Sequence, residues 1–285
     1  MKRIFALITG ICIAMSAIAQ QDSTAKTDTA PSDTVSNRND TLLIGNIIII
    51  RRDRSGKDSL NYTAIFRRKK YKPSNLSTNW GIIDLGFSQV NDKTDYAASI
   101  ASGYLPAGAN EDWFNQRNFK STNVNIWIMM QRLNMIKQIV NLKYGLGMEF
   151  NNYKYTENIK FQKTSLPLAV MSSNNYRKNK LVANYLTVPI MLNFNFTPAI
   201  RKGFGISAGI SAGFLYSSYQ KIKDGEESGK VKYRDDFDLQ KFKIAYVTEL
   251  NMGPIRLYGS FATKSMFKKA LDQTPFNFGL RLSNW

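Results

Sequence analysis

Between Leu181 and Tyr219 the chain reads LVANYLTVPIMLNFNFTPAIRKGFGISAGISAGFLYSSY, and its apolar residues recur with period two. Leu186, Val188, Ile190, Leu192, Phe194 and Phe196 alternate with small or polar residues such as Thr187, Asn193 and Asn195. After Thr197-Pro198 and a short basic turn the alternation resumes. Phe204, Ile206, Ala208, Ile210, Ala212, Phe214 and Tyr216 fall on one side, with Gly205, Ser207, Gly209, Ser211 and Gly213 on the other. Side chains of a strand point to opposite faces in turn, so each half is a strand with one greasy face and one small or polar face. Each half also supplies the roughly ten residues that a tilted strand needs to cross a bilayer. The pattern predicts a membrane-spanning β-hairpin.

The same alternation predicts eight strands from Trp80 onward. They are Trp80–Val90 (Ile83, Leu85 and Phe87 outward), Thr122–Arg132 (Val124, Ile126, Ile128 and Met130 outward), Ile139–Tyr153, the two halves of the hairpin, Lys241–Met252, Ile255–Thr263 and Thr274–Trp285. Connections alternate in length. Those after Asn91, Lys154, Lys221 and Lys264 are long or moderate, whereas Leu133–Gln138, Thr197–Lys202 and Gly253-Pro254 are short. Short turns at one end and long loops at the other are the pattern of outer-membrane barrels, and an even strand number leaves both termini in the periplasm. A soluble sandwich or lipocalin-like barrel of equal strand count would turn the apolar face inward. A secretory signal at Met1–Ala19, the loop lengths and the terminal aromatic Trp285 favour the membrane. The expected fold class is therefore all-β: an eight-stranded antiparallel transmembrane β-barrel over residues 80–285.

Mean hydropathy is −0.31, which does not argue against this, because lipid-facing and lumen-facing residues average out in a barrel. Met1–Ala19 reads as a secretory signal, with Lys2 and Arg3, an apolar core and an Ala17-Ile18-Ala19 cleavage site. A lipoprotein signal on Cys12 is disfavoured by Ile11, where a small residue is needed. Gln20–Asp40 is Ser/Thr/Asp-rich and too polar to bury a core, so a disordered periplasmic leader is expected. Residues 20–79 are read as a linker with a short β segment near 41–54, where Gly45-Asn46 separates two apolar runs; a hairpin or a single sticky strand would fit. Tyr62–Lys72 is basic and aromatic, and is expected at the inner membrane surface.

Tyr185-Leu186-Thr187-Val188-Pro189-Ile190-Met191-Leu192 resembles the proline-containing strand of the PorT-like outer-membrane β-barrel family. The glycine-rich Gly203–Tyr216 and the closing Phe276–Leu282 fit the same family. The resemblance covers roughly Trp80 to Trp285 and implies a small Gram-negative outer-membrane barrel, with PorT itself linked to protein secretion. Trp285 departs from the pattern: it is out of phase with Phe276, Phe278, Leu280 and Leu282. Either the last strand stops near Ser283 or a bulge resets its phase.

The inward positions of the predicted strands include Asp84, Lys143, Glu149, Lys243, Glu249, Arg256 and Arg281. Eight strands enclose only enough room for side chains, so these charges are expected to pair as a structural network that plugs the lumen. A narrow pore or proton path is the alternative. The chain has no histidine, and its one cysteine, Cys12, lies in the signal segment, which excludes His-based triads, Cys–His pairs and His-ligated metals. Asp235, Asp236 and Asp238 are a candidate Ca²⁺ or acid–base cluster, more simply read as a solvated loop. No cofactor, metal or catalytic residue is expected.

The formal charge is +18. On an exported chain it points to anionic lipid and lipopolysaccharide rather than nucleic acid. The external loops carry Lys160, Lys163, Arg177, Lys178, Lys221, Lys223, Lys230, Lys232, Lys264, Lys268 and Lys269. Other expected partners are the barrel assembly machinery and a periplasmic partner of the leader. The first functional reading is a non-catalytic structural or interaction protein of the outer membrane. The second is a transport component, either a narrow pore or a PorT-like secretion accessory.

Overall fold

The computed structural model describes residues 41–44, 47–52, 61–66 and 74–283, the last without 118, 163–165, 201–202 and 225–228. The signal segment Met1–Ala19, the linker tract Gln20–Asp40, Gly45-Asn46, Lys163 and Trp285 lie outside the described residues.

Three strands, β1 (Thr41–Ile44), β2 (Ile47–Arg52) and β3 (Asn61–Phe66), form a small antiparallel sheet in the order β1-β2-β3. Ile44 pairs with Ile47, as the hairpin reading requires. The third strand is new. It occupies the start of the Tyr62–Lys72 stretch and pairs along β2, from Ile47↔Phe66 to Arg52↔Asn61; Arg67–Lys72 lie outside the described residues. This sheet belongs to one compact unit, and the chain from Lys70 onward forms a second.

The second unit contains β4 (Leu76–Asp92), α1 (Tyr96–Ala101), a 3-10 turn (Glu111–Phe114), β5 (Thr122–Ile136), β6 (Val140–Lys154), β7 (Ile159–Phe161) and β8 (Ala169–Met171). It continues with β9 (Tyr176–Asn195), β10 (Phe204–Asp224), β11 (Lys230–Arg234), β12 (Phe242–Met252), β13 (Ile255–Ala262) and β14 (Gln273–Leu282). Eight of these close a ring, β4-β5-β6-β9-β10-β12-β13-β14, with every neighbour antiparallel and β14 returning to β4. β14 ends at Leu282, before the phase conflict posed by Trp285.

Period-two chemistry decides which face is outside. Leu186, Val188, Ile190, Leu192 and Phe194 of β9 are exposed, as are Phe204, Ile206, Ile210 and Phe214 of β10 and Phe278, Leu280 and Leu282 of β14. The residues of opposite phase between them are buried or half-buried inside the ring. Leu186 to Phe196 spans about 35 Å of strand, or about 25 Å of height at the usual barrel tilt, which matches an apolar membrane band.

One expected outward residue is corrected. Ile128 is skipped in the pairing of β5 with β6, where Trp127 meets Gly147 and Met129 meets Leu146. The bulge inverts the phase, so Met130 points inward and is wholly buried, packed with Ile82, Trp127 and Met191.

Short turns close one end of the ring. Lys137 and Gln138 both have positive φ (46° and 62°) and sit between Ile136 O and Ile139 N, a type I′ arrangement. Gly253, with φ of 65°, precedes Pro254 in the two-residue turn between Met252 and Ile255. At the other end the long connections fold into a cap. Phe161 lies at its centre, with ring centroids 5.7 Å from Tyr155, 6.0 Å from Phe237, 6.1 Å from Phe267 and 6.4 Å from Phe114. Several basic residues expected in these loops are on strands: Arg177 and Lys178 on β9, Lys221 and Lys223 on β10, Lys230 and Lys232 on β11. The wall of the barrel runs well past its apolar band.

Candidate functional site

The lumen is the place where this sheet concentrates chemistry. Alternate residues of every ring strand point into it, and eight strands leave it only side-chain wide. Asp84, Lys143, Glu149, Lys243, Glu249, Arg256 and Arg281 all face inward and are at most 9% exposed. Arg281 donates from Nε to Asp84 Oδ1 and from Nη2 to Asp84 Oδ2, each at 2.7 Å, and from Nη1 to Glu249 Oε2 at 2.9 Å. Lys143 reaches the other oxygen of Glu249 at 3.0 Å and Ser207 Oγ at 3.2 Å. Lys243 pairs with Glu149 and lies 4.6 Å from the Tyr185 ring centroid. Arg256 shares the lumen without an ion pair among the described residues, so four cations face three carboxylates.

Neutral residues join these pairs. Asp84 Oδ2 also accepts from Trp127 Nε1 (2.6 Å) and Asn125 Nδ2 (3.2 Å), while Glu149 Oε1 accepts from Asn151 and Asn277 (3.0 Å each). Asn123 connects the two halves: it donates to Asn125 at 3.0 Å and to Asn151 at 2.8 Å, and accepts from Tyr258 at 2.6 Å. Reading charges alone missed Asn123, Asn125, Asn151 and Tyr258. The signal was available in Asn123-Val124-Asn125, two amides on one face of a strand whose other face is apolar. Space for Tyr258 comes from Gly86, whose cross-strand partner is Gly279. A Cβ on either glycine would strike a neighbouring backbone carbonyl, Phe278 or Leu85. A cavity of about 20 Å³ remains beside Asp84, Glu149 and Arg281, room for one water.

Above the lumen, the cap's apolar core is tied to the wall by two buried amides. Gln220 donates to Ile159 O and Asn179 Oδ1 and accepts from the Phe161 N–H; Asn179 donates to Ile159 O and Glu157 O. Burial holds the Tyr155 phenol well above its ordinary pKa, and burial with the Asp92 carboxylate does the same for Tyr96. The Asp235–Asp238 cluster is engaged in local structure: Asp236 accepts from the Asp238 N–H, Asp238 accepts from the Lys269 N–H, and Lys268 lies 3.4 Å from Asp236. Those carboxylates pin one loop to the next.

A closed antiparallel ring with an apolar outer band and an ionic interior is a membrane-spanning β-barrel. Residues 128–263, from within β5 to just beyond β13, match the family model described as the outer membrane protein beta-barrel domain, which supports a location in the outer membrane. No curated protein matches the chain.

Proposed function

We propose that this is a non-conducting, non-catalytic barrel whose role is structural or one of surface interaction, with the long loops facing the cell exterior and both termini on the periplasmic side. The single observation that supports it best is the buried chain of ion pairs inside the lumen: Arg281 of β14 joins Asp84 on β4 to Glu249 on β12, and Lys143 of β6 meets the same glutamate, so the chain runs from one side of the ring to the other through the space an ion would need. The aromatic cap over the same axis adds a second seal. A histidine-free chain also lacks the usual groups for general acid–base work near neutral pH.

Single-channel recording in planar bilayers tests the reading. The wild-type barrel should give no resolved conductance steps at either polarity, and steady steps would replace the plug with a pore. An Arg281→Ala variant that shows flickering currents would identify the arginine as part of the seal.

A further inference from the structure

Strand register brings lysines together on the outer wall just beyond the apolar band. In one row Lys154 of β6 lies opposite Lys180 of β9, Lys180 opposite Lys221 of β10, and Lys221 opposite Lys232 of β11. Two residues further along, Lys178, Lys223 and Lys230 form a second row on the same three outer strands. Both rows share the outward phase of Met148 and Phe150 on β6 and of Leu186 on β9.

Directly opposed residues have Cβ atoms about 5 Å apart, and like charges at that spacing oppose strand pairing. None of the seven forms an ion pair among the described residues; Lys180 bonds to Asn152, and Lys232 lies over the Tyr219 ring at 5.3 Å. The inner face of the same strands is filled by Leu181, Ala183, Gln220 and Ile222, so the lysines cannot turn inward. A sheet that sets seven cations in register against one another leaves a place for anions between them. Lys154 is four residues beyond Phe150, or about 13 Å of strand, which reaches the headgroup zone and what lies just above it.

We infer that this double row of lysines binds the phosphate groups of a phosphate-bearing lipid in the leaflet nearer the long loops. The position selects a lipid over a free anion: the lysines continue the lipid-facing surface, so a molecule seated on them has its acyl chains against Leu186 and Phe214. The inference rests on the reading of the chain as a membrane-spanning barrel.

The test uses the full mature chain refolded into phosphatidylcholine vesicles with and without lipid A, a bisphosphorylated glycolipid. Retained lipid A is counted by native mass spectrometry after detergent extraction, and unboiled gel migration reports whether the barrel has formed. Wild type should retain lipid A at least about tenfold more than K180Q/K221Q/K232Q. K264Q/K268Q/K269Q, with the same charge loss elsewhere in the loops, should retain it like wild type. Equal retention by wild type and the ladder variant, or equal loss in both variants, overturns the inference. So does displacement of lipid A by millimolar inorganic phosphate, which would assign the site to a free anion. If the ladder variant does not fold, wild-type retention that is unchanged between low salt and about 0.5 M salt overturns it equally. Absence of a heat-dependent gel shift in wild type would instead refute the barrel reading itself.

Discussion

Asp84 and Arg281 stand directly opposite each other on β4 and β14, the first and last strands of the ring, and their side chains meet through two hydrogen bonds of 2.7 Å. The ring's closing seam therefore carries its most specific ion pair. Asp84→Asn leaves a buried guanidinium short of a carboxylate and should cost about 3–5 kcal/mol. Arg281→Lys keeps the charge but loses the fork, and should cost less. Urea unfolding from micelles, followed by the gel shift, measures both. An Asp84→Asn barrel as stable as wild type would mean that backbone pairing alone holds the seam.

Phe161 is wholly buried among rings from four other parts of the cap. Phe161→Ala should remove about 3–5 kcal/mol from the cap while leaving the ring intact. Limited proteolysis would then cut rapidly between residues 93 and 121 and between 155 and 175, and the heat-dependent gel shift would persist. Loss of that shift would show that the cap and the ring form one cooperative unit.

The turn at Lys137-Gln138 puts two residues with side chains in the left-handed region, where each costs about 1 kcal/mol relative to a residue suited to it. The double change Lys137→Asn with Gln138→Gly supplies the preferred type I′ pair and should stabilise the barrel by about 1 kcal/mol or more. A measured loss of stability would indicate that the lysine or glutamine side chain contributes contacts; Gln138 Nε2 does reach Ser74 O at 3.2 Å.

Lys180 faces Lys154 on β6, Lys178 on its own strand, Lys221 on β10 and, beyond it, Lys232 on β11. Partial burial first, then these four like charges, lower its pKa from the ordinary 10.5 to about 8. Lys154 and Lys221 are shifted in the same direction. Above about pH 8 the folded barrel therefore sheds protons that the unfolded chain keeps until about pH 10.5. Without a bound anion, stability should rise over that window. Retention of lipid A should fall over the same window, because the cations that hold it are neutralised. Opposite slopes in the two titrations are the expected signature; parallel slopes would exclude Lys180 from lipid binding.

Much of the fold was legible because a membrane barrel writes one rule along every strand. Leu186 to Phe196 and Phe204 to Tyr216 state their register and their lipid face without any tertiary knowledge. The inward positions of Asp84 and Arg281 follow from the same count, but that they meet does not, since pairing of residues 197 apart depends on closure of the ring. Met130 was misplaced because a bulge changes phase without any glycine or proline to mark it. The cap was missed for a different reason. Phe161, Phe237 and Phe267 are single aromatics in separate polar loops, and only their convergence makes a core.

The exposed apolar side chains of β9 end at Leu186, and its inner face joins the cap's core at Tyr185, Ala183 and Leu181, so one continuous strand passes through two solvents. Beside lipid the ring gains little from excluding water, because acyl chains are as apolar as leucine. The cap, by contrast, is an ordinary water-excluding core, and burial of that kind carries the heat-capacity change of unfolding. Heat capacity should thus be concentrated at one end of a single sheet. The curvature of the stability curve, and any sensitivity to cold, would belong to the mouth of the barrel and hardly at all to the part inside the bilayer.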